Sequence, residues 1–135
     1  MKQFLTSYAA ACEYLKRDTK YPDVSQYSAK KQQRLNADHE LETLLEANNM
    51  IANDGKPWEA DLADTTQEKW YPWFDIEPIT DQAPEEGPAG FRLSFYGCLC
   101  DRSDARIGAR HACKNREVAA FMGKSCPTLY KLTLG

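Results

Sequence analysis

Phe91-Arg-Leu-Ser-Phe-Tyr-Gly-Cys-Leu-Cys100 decides the reading of this chain, because it alternates in the two-residue period of a β-strand along its whole length. On that period Phe91, Leu93, Phe95 and Leu99 share one face, and Arg92, Ser94, Tyr96, Cys98 and Cys100 share the other. A strand with one apolar face needs a partner, and two candidates flank it. Upstream, Lys69-Trp-Tyr-Pro-Trp-Phe-Asp-Ile76 is an aromatic island between turn-forming stretches, and Pro72, which cannot donate to a ladder, assigns it to a sheet edge. Downstream, after a loop from Asp101 to Gly108, Ala109 to Lys114 can return as the second arm of a hairpin. The sheet predicted from these pieces is small, antiparallel and three-stranded.

Helices are predicted on both sides of it. Ser7 caps a short helix to about Arg17, in which Tyr8, Ala11, Cys12 and Leu15 recur at three-and-four spacing. Pro22 interrupts the chain, and Ser28 caps a second, longer helix over Ala29 to Ala52. Ala37, Leu41, Leu44, Leu45, Asn48 and Ile51 form its stripe, with His39 off the stripe as a solvated side chain, and Asn53-Asp54-Gly55 ends it. Asn115 caps a last helix whose Val118, Phe121, Met122 and Leu129 face inward, and Pro127 forces either a kink at Cys126 or a new turn from Thr128. The expected class is therefore α+β: two N-terminal helices, a small three-stranded antiparallel sheet and one C-terminal helix. With 135 residues it is expected to form one domain, 1–135, carrying a mobile acidic loop at 77–90, where Pro84, Glu85, Glu86, Gly87, Pro88 and Gly90 offer nothing to bury.

A hydrophobic fraction of 42% beside 27% charged residues argues for a packed core rather than disorder. The apolar runs are far too short for a membrane span, and Lys2, Glu13, Lys16 and Arg17 fall where a secretion signal needs an apolar stretch, so a cytoplasmic location without membrane attachment is expected. Five cysteines, an odd number in no compact framework, read as reduced thiols. The charge is uneven: residues 1–89 carry a net −8 and residues 90–135 a net +5. Such polarity can mark a nucleic-acid face, but acidic and basic segments of one domain can equally lie side by side, and that reading is preferred.

No cofactor is expected, with zinc as the alternative. Cys98, Cys100, His111 and Cys113 could converge across the predicted hairpin as metal ligands, although the spacing is not the C-x2-C knuckle that holds two thiolates on one turn. The same cluster is the natural place for a thiol nucleophile with His111 as base and Arg110 favouring the thiolate. A Gly-rich phosphate loop, a nucleophile elbow and an H-E-x-x-H helix do not occur, so the chain is read as leaning away from enzymes. The preferred site is an interaction surface for a protein partner, formed by Trp70, Tyr71, Trp73 and Phe74 with Arg102, Arg106 and Arg110, residue types that anchor interfaces. Set against it is a packed aromatic core edge. The alternative partner is nucleic acid, contacted by Arg92, Arg102, Arg106, Arg110, Lys114 and Arg116.

Pro22-Asp-Val24, Lys56-Pro-Trp58, Lys69-Trp-Tyr-Pro-Trp-Phe74, Cys113-Lys-Asn-Arg-Glu117, Gly123-Lys124 and Leu129-Tyr-Lys131 follow one another in an order that resembles a group of small uncharacterised proteins of phages and mobile elements of gut Bacteroidota. In that group a W-x-x-D-W stretch leads to a K-Y-Y-P-W-F box, and the end reads F-K-S-R-E-L-A-E-Y-A-G-K-Q-F-x-x-L-Y-K. The resemblance spans most of the chain and implies a mobile-element origin and action in a host cytosol. It brings no assigned activity and no catalytic residue. The chain departs from it at Cys126-Pro127 and in its Cys/His hairpin.

Overall fold

A computed structural model describes residues 2–78, 91–101 and 109–134 of the chain. In order, these form α1 (Tyr8–Leu15), α2 (Ala29–Ala52), β1 (Lys69–Pro78), β2 (Phe91–Asp101), a 3-10 turn (Ala109–His111), α3 (Arg116–Ser125) and α4 (Pro127–Leu134). The α+β class stands, with four helices and two strands among the described residues instead of three and three.

The helices begin where their caps predict. The side chains of Ser7, Ser28 and Asn115 accept from the amides of Ala10, Lys31 and Val118 at 3.1, 3.3 and 3.0 Å. Gly55, at φ 83°, lets the chain turn back so that its amide reaches the Met50 carbonyl at 2.9 Å and closes α2. The predicted last helix divides at Cys126, and Pro127 opens α4 as its first residue, a position whose amide would have no helical partner in any case. α2 is the central strut: Ala37, Leu41, Leu44, Leu45 and Asn48 are buried, and the helix touches α1, α3, α4 and the 3-10 turn.

β1 and β2 pair antiparallel from Lys69 opposite Asp101 to Pro78 opposite Phe91, with a register shift between Trp73 and Phe74. Trp73 pairs Gly97 but Phe74 pairs Phe95, which leaves Tyr96 as the extra residue of a β-bulge. A one-residue insertion exchanges the faces beyond it. The period predicted for Phe91–Cys100 therefore holds up to Tyr96 and inverts after it: Cys98 joins Leu93 against the core, while Leu99 shares the outer face with Tyr71. α3 covers the inner face closely at Gly123, where a side-chain methyl would overlap the Phe95 ring and lie 2.8 Å from Pro72 Cβ.

The third strand is not formed. Of Ala109–Lys114, the first three residues coil into the 3-10 turn, and Cys113 alone bridges to β1, exchanging hydrogen bonds with Trp70 of 3.0 and 2.8 Å. The other edge of this short extended piece is taken by a side chain: Asn49 donates from Nδ2 to the Ala112 carbonyl at 3.0 Å and accepts the Lys114 amide on Oδ1 at 2.8 Å. Asn48, wholly buried, holds the N-terminal arm the same way, accepting the Leu5 amide at 2.8 Å and donating to its carbonyl at 3.0 Å, so that Phe4 packs on Phe121 with ring centroids 5.3 Å apart. Of the loop expected at 77–90, residues 77 and 78 end β1 and residues 79–90 lie outside the described residues.

Asn48→Ala leaves the Leu5 amide and carbonyl unpaired beside the core, at a cost of about 1–3 kcal/mol for each buried group. A lowered urea midpoint, with faster amide exchange at Leu5 than in wild type, is the expected result. Gly123→Ala sets a helix-propensity gain of about 1 kcal/mol against overpacking of about 1–3 kcal/mol on rigid Pro72, so the net sign is expected to be destabilising in the same measurement.

Candidate functional site

Alternation along β1 sorts the aromatic box into two roles. Trp70 and Phe74 point inward: Phe74 packs against Tyr130 and Phe95 with centroids 5.1 and 6.3 Å away, and the Trp70 indole donates to Glu68 Oε2 at 3.1 Å. Trp73 points outward, 50% exposed, beside Tyr96 at 73%, with ring centroids 6.5 Å apart. Gly97 lies opposite Trp73, and a side chain built there would meet nothing within 4 Å, so the two rings flank an open notch. Of the predicted surface, then, Trp73 is presented outright and Tyr71 is half-buried on the same face, while Trp70 and Phe74 are core. Tyr96 joins this surface on the outer side that the alternation from Phe91 gives it, although it was not counted in the predicted surface.

Arg102 and Arg106 lie outside the described residues. Arg110 turns away from the sheet to α2, where its guanidinium stands 3.3 Å from Asp38 and 3.2 Å from Glu42. Arg92 stands opposite Glu77 in the strand register. The basic C-terminal third thus meets the acidic N-terminal part at α2, as the side-by-side reading of the charges expects.

The predicted metal and thiol set is not brought together. His111 Nε2 lies 2.8 Å from Asp38 Oδ1, drawn to α2 by the same turn that replaces the third strand. Cys113 is fully buried, with its thiol directed at the His111 carbonyl at 3.9 Å, and Cys98 is aimed at the Arg116 carbonyl at 3.8 Å. Burial pushes the Cys113 thiol far above its ordinary value of 9.0, with Cys98 adding to the effect, and burial likewise raises Cys98 itself. Both shifts oppose the thiolate that a nucleophile or zinc ligand requires. Cys100 is half-buried opposite Trp70. Among the described residues, the metal-ligating side chains that do approach one another are Asp38, Glu42 and His111, and Arg110 already supplies their counter-charge.

Two smaller features escaped the sequence reading. His39 is not a solvated side chain: its Nε2 lies 2.9 Å from the Tyr8 hydroxyl, and its ring sits 5.5 and 5.7 Å from those of Tyr8 and Tyr21. Beside α2, Trp58 and Glu59 form the wall shared by two grooves of about 360 and 420 Å³. Trp58 was read only as part of a motif, and nothing in its spacing announces a groove.

The fold and these features define an α+β protein that presents an aromatic pair on the outer face of a two-stranded sheet. Comparison with protein-family models, with curated proteins and with solved structures found no match. No described helix is long and apolar enough to cross a membrane.

The buried acids give a pH prediction. Burial raises the Cys113 thiol and the Tyr130 phenol, whose hydroxyl has no hydrogen-bond partner among the described residues, above their ordinary values of 9.0 and 10.0. Both bind their protons more tightly in the folded chain, so the stability they contribute is complete below pH 9.0 and is lost as pH rises, when the unfolded chain ionises first. Each group adds a slope of about 1.4 kcal/mol per pH unit above its own ordinary value, Cys113 first and Tyr130 after it. Urea midpoints should be level through neutral pH and fall beyond pH 9.0, and Cys113 should resist iodoacetamide until the chain unfolds.

Proposed function

We propose that this chain is a non-enzymatic interaction module of the phage and mobile-element group it resembles, docking a protein partner in the host cytosol through the outer face of its sheet. The observation that carries this reading is the Trp73–Tyr96 pair: two large aromatic rings, half or more exposed, on either side of an open notch. Aromatic side chains of this kind anchor protein interfaces because they lose large apolar areas from water at little cost in side-chain entropy. Gly97, which the bulge turns to the same face opposite Trp73, leaves the space beside the two rings open. The buried thiol of Cys113 and the half-buried thiol of Cys98, both raised by desolvation, and the pairing of His111 with Asp38, favour a binding role over thiol chemistry.

A photo-reactive phenylalanine in place of Tyr96 is expected to trap a defined protein adduct in Bacteroidota cells, and Trp73→Ala in the same chain is expected to remove it. The same cross-linker in place of Gln33, on the exposed side of α2, serves as the control and should trap none. Absence of any adduct at position 96, or identical adducts from both positions, overturns the reading. Trp73→Ala should keep the wild-type stability to within about 1 kcal/mol, so that a lost adduct reports a lost contact.

A further inference from the structure

The acidic N-terminal part of the chain has a concave surface where two of three carboxylates meet the chain's own guanidinium groups only in half-exposed pairs, and the third, Glu59, in none among the described residues. The groove of about 360 Å³ between α2 and the segment following Pro57 is lined by Trp58, Leu45, Glu42, Glu46, Glu59 and Arg110, three carboxylates against one guanidinium. The neighbouring groove, across Trp58, sets Lys16 and Arg17 against Glu46 and Glu59 and is balanced. Glu46 and Glu59 line both grooves, and the first adds Glu42 where the second adds Lys16 and Arg17.

From this we infer that the Trp58 groove is a docking site for an arginine-bearing extended segment of a protein. Its acidic rim already receives guanidinium groups: Arg17 Nη1 bonds Glu46 Oε2 at 2.7 Å, and Arg110 Nε stands 3.2 Å from Glu42 Oε1. Both pairs are about half exposed, so each contributes at most about 1 kcal/mol and can exchange with an incoming side chain. Glu59 makes no ion pair among the described residues, which leaves its charge to the groove that Trp58 walls. An indole face beside a carboxylate suits a guanidinium, which is planar, stacks on aromatic rings and bonds a carboxylate with two donors at once. A lysine ammonium matches neither feature as well. Leu45 at the floor and Leu62, 57% exposed at the rim, would cover the aliphatic stem and the neighbouring residue of an extended chain. The net −8 of residues 1–89 adds long-range attraction for a basic segment. This site uses no residue of the outer sheet face and stands independently of it.

The test uses the full chain, its indole N–H resonances and three probes: a decapeptide alternating arginine and serine, its lysine counterpart, and spermidine. Trp58→Phe identifies the Trp58 resonance by its loss. The arginine peptide is expected to shift that resonance saturably while Trp70 and Trp73 stay in place, with the lysine peptide roughly tenfold weaker. Glu59→Gln, at an exposed position where the fold is not at risk, should weaken the arginine peptide about fivefold. An unmoved Trp58 resonance, equal shifts at all three tryptophans, full affinity in Glu59→Gln, or spermidine binding as tightly as the peptide would each overturn the proposal.

Discussion

Two adjacent amides on α2, Asn48 and Asn49, each turn both ends of the side chain to the backbone of a segment that has no secondary structure of its own. A carboxamide carries one acceptor and two donors in a plane, so it can stand in for the edge of a neighbouring strand. The requirement it meets is strict, because an unpaired backbone group beside a core costs as much as a lost hydrogen bond. Asn48 fixes Leu5, and with it the Phe4 ring on Phe121. Asn49 fixes Ala112 and Lys114, which leaves Cys113 free to bridge Trp70 and so joins the sheet to the helical layer. The 3-10 turn that brings Arg110 and His111 to Asp38 starts from the same anchored piece. Remove the two clamps, and three separate parts of the molecule lose their place on α2.

The second constraint is the bulge at Tyr96. Without it, the alternation begun at Phe91 would carry Leu99 inward and Cys98 outward. Ahead of it, Phe74 and Phe95 meet edge to face under Tyr130, and the close approach of α3 at Gly123 becomes the fit between a helix without a side chain and a sheet with a ring. The residue of slack turns Gly97 outward, opposite Trp73, and brings Cys98 in against the core. One irregularity thus completes the packed face and leaves a position without a side chain beside the exposed pair.

Much of this architecture was legible in the residues. Ser7, Ser28 and Asn115 announce helix starts, Gly55 a helix end, and the stripe from Ala37 to Asn48 a buried face, because those signals are local and their geometry is set within one or two turns. What the residues did not disclose depends on distant partners. Asn48 was placed on the buried stripe but as one apolar position among others, although a polar amide on such a face, followed by a second, is a sign of backbone to be satisfied. The Ala109–Lys114 strand failed for the complementary reason: its alternation was real enough for one bridge, but the carboxylates of Asp38 and Glu42 drew Arg110 and His111 out of the ladder. The Cys/His set read on that hairpin is not gathered by it, since His111 and Cys113, two residues apart, serve opposite neighbours.

The charge division of the sequence finds its use at α2. Asp38 and Glu42 receive Arg110 from the basic C-terminal third, so a separation of charge along the chain becomes proximity in the fold, while Glu46 takes Arg17 from within the acidic part. These pairs are solvated and individually weak, and their number cannot explain the stability of a core formed by Leu41, Leu44, Leu45, Val118 and Met122. Their effect is directional. They fix which way the 3-10 turn and the end of α1 face, and in doing so they cover most of the acidic side of α2 with the chain's own cations. The aromatic pair on the sheet and the carboxylate beside Trp58 are the residue types left facing outward after that internal matching, and neither is needed by the matching itself. Surface chemistry that the fold does not consume is where recognition has room to act.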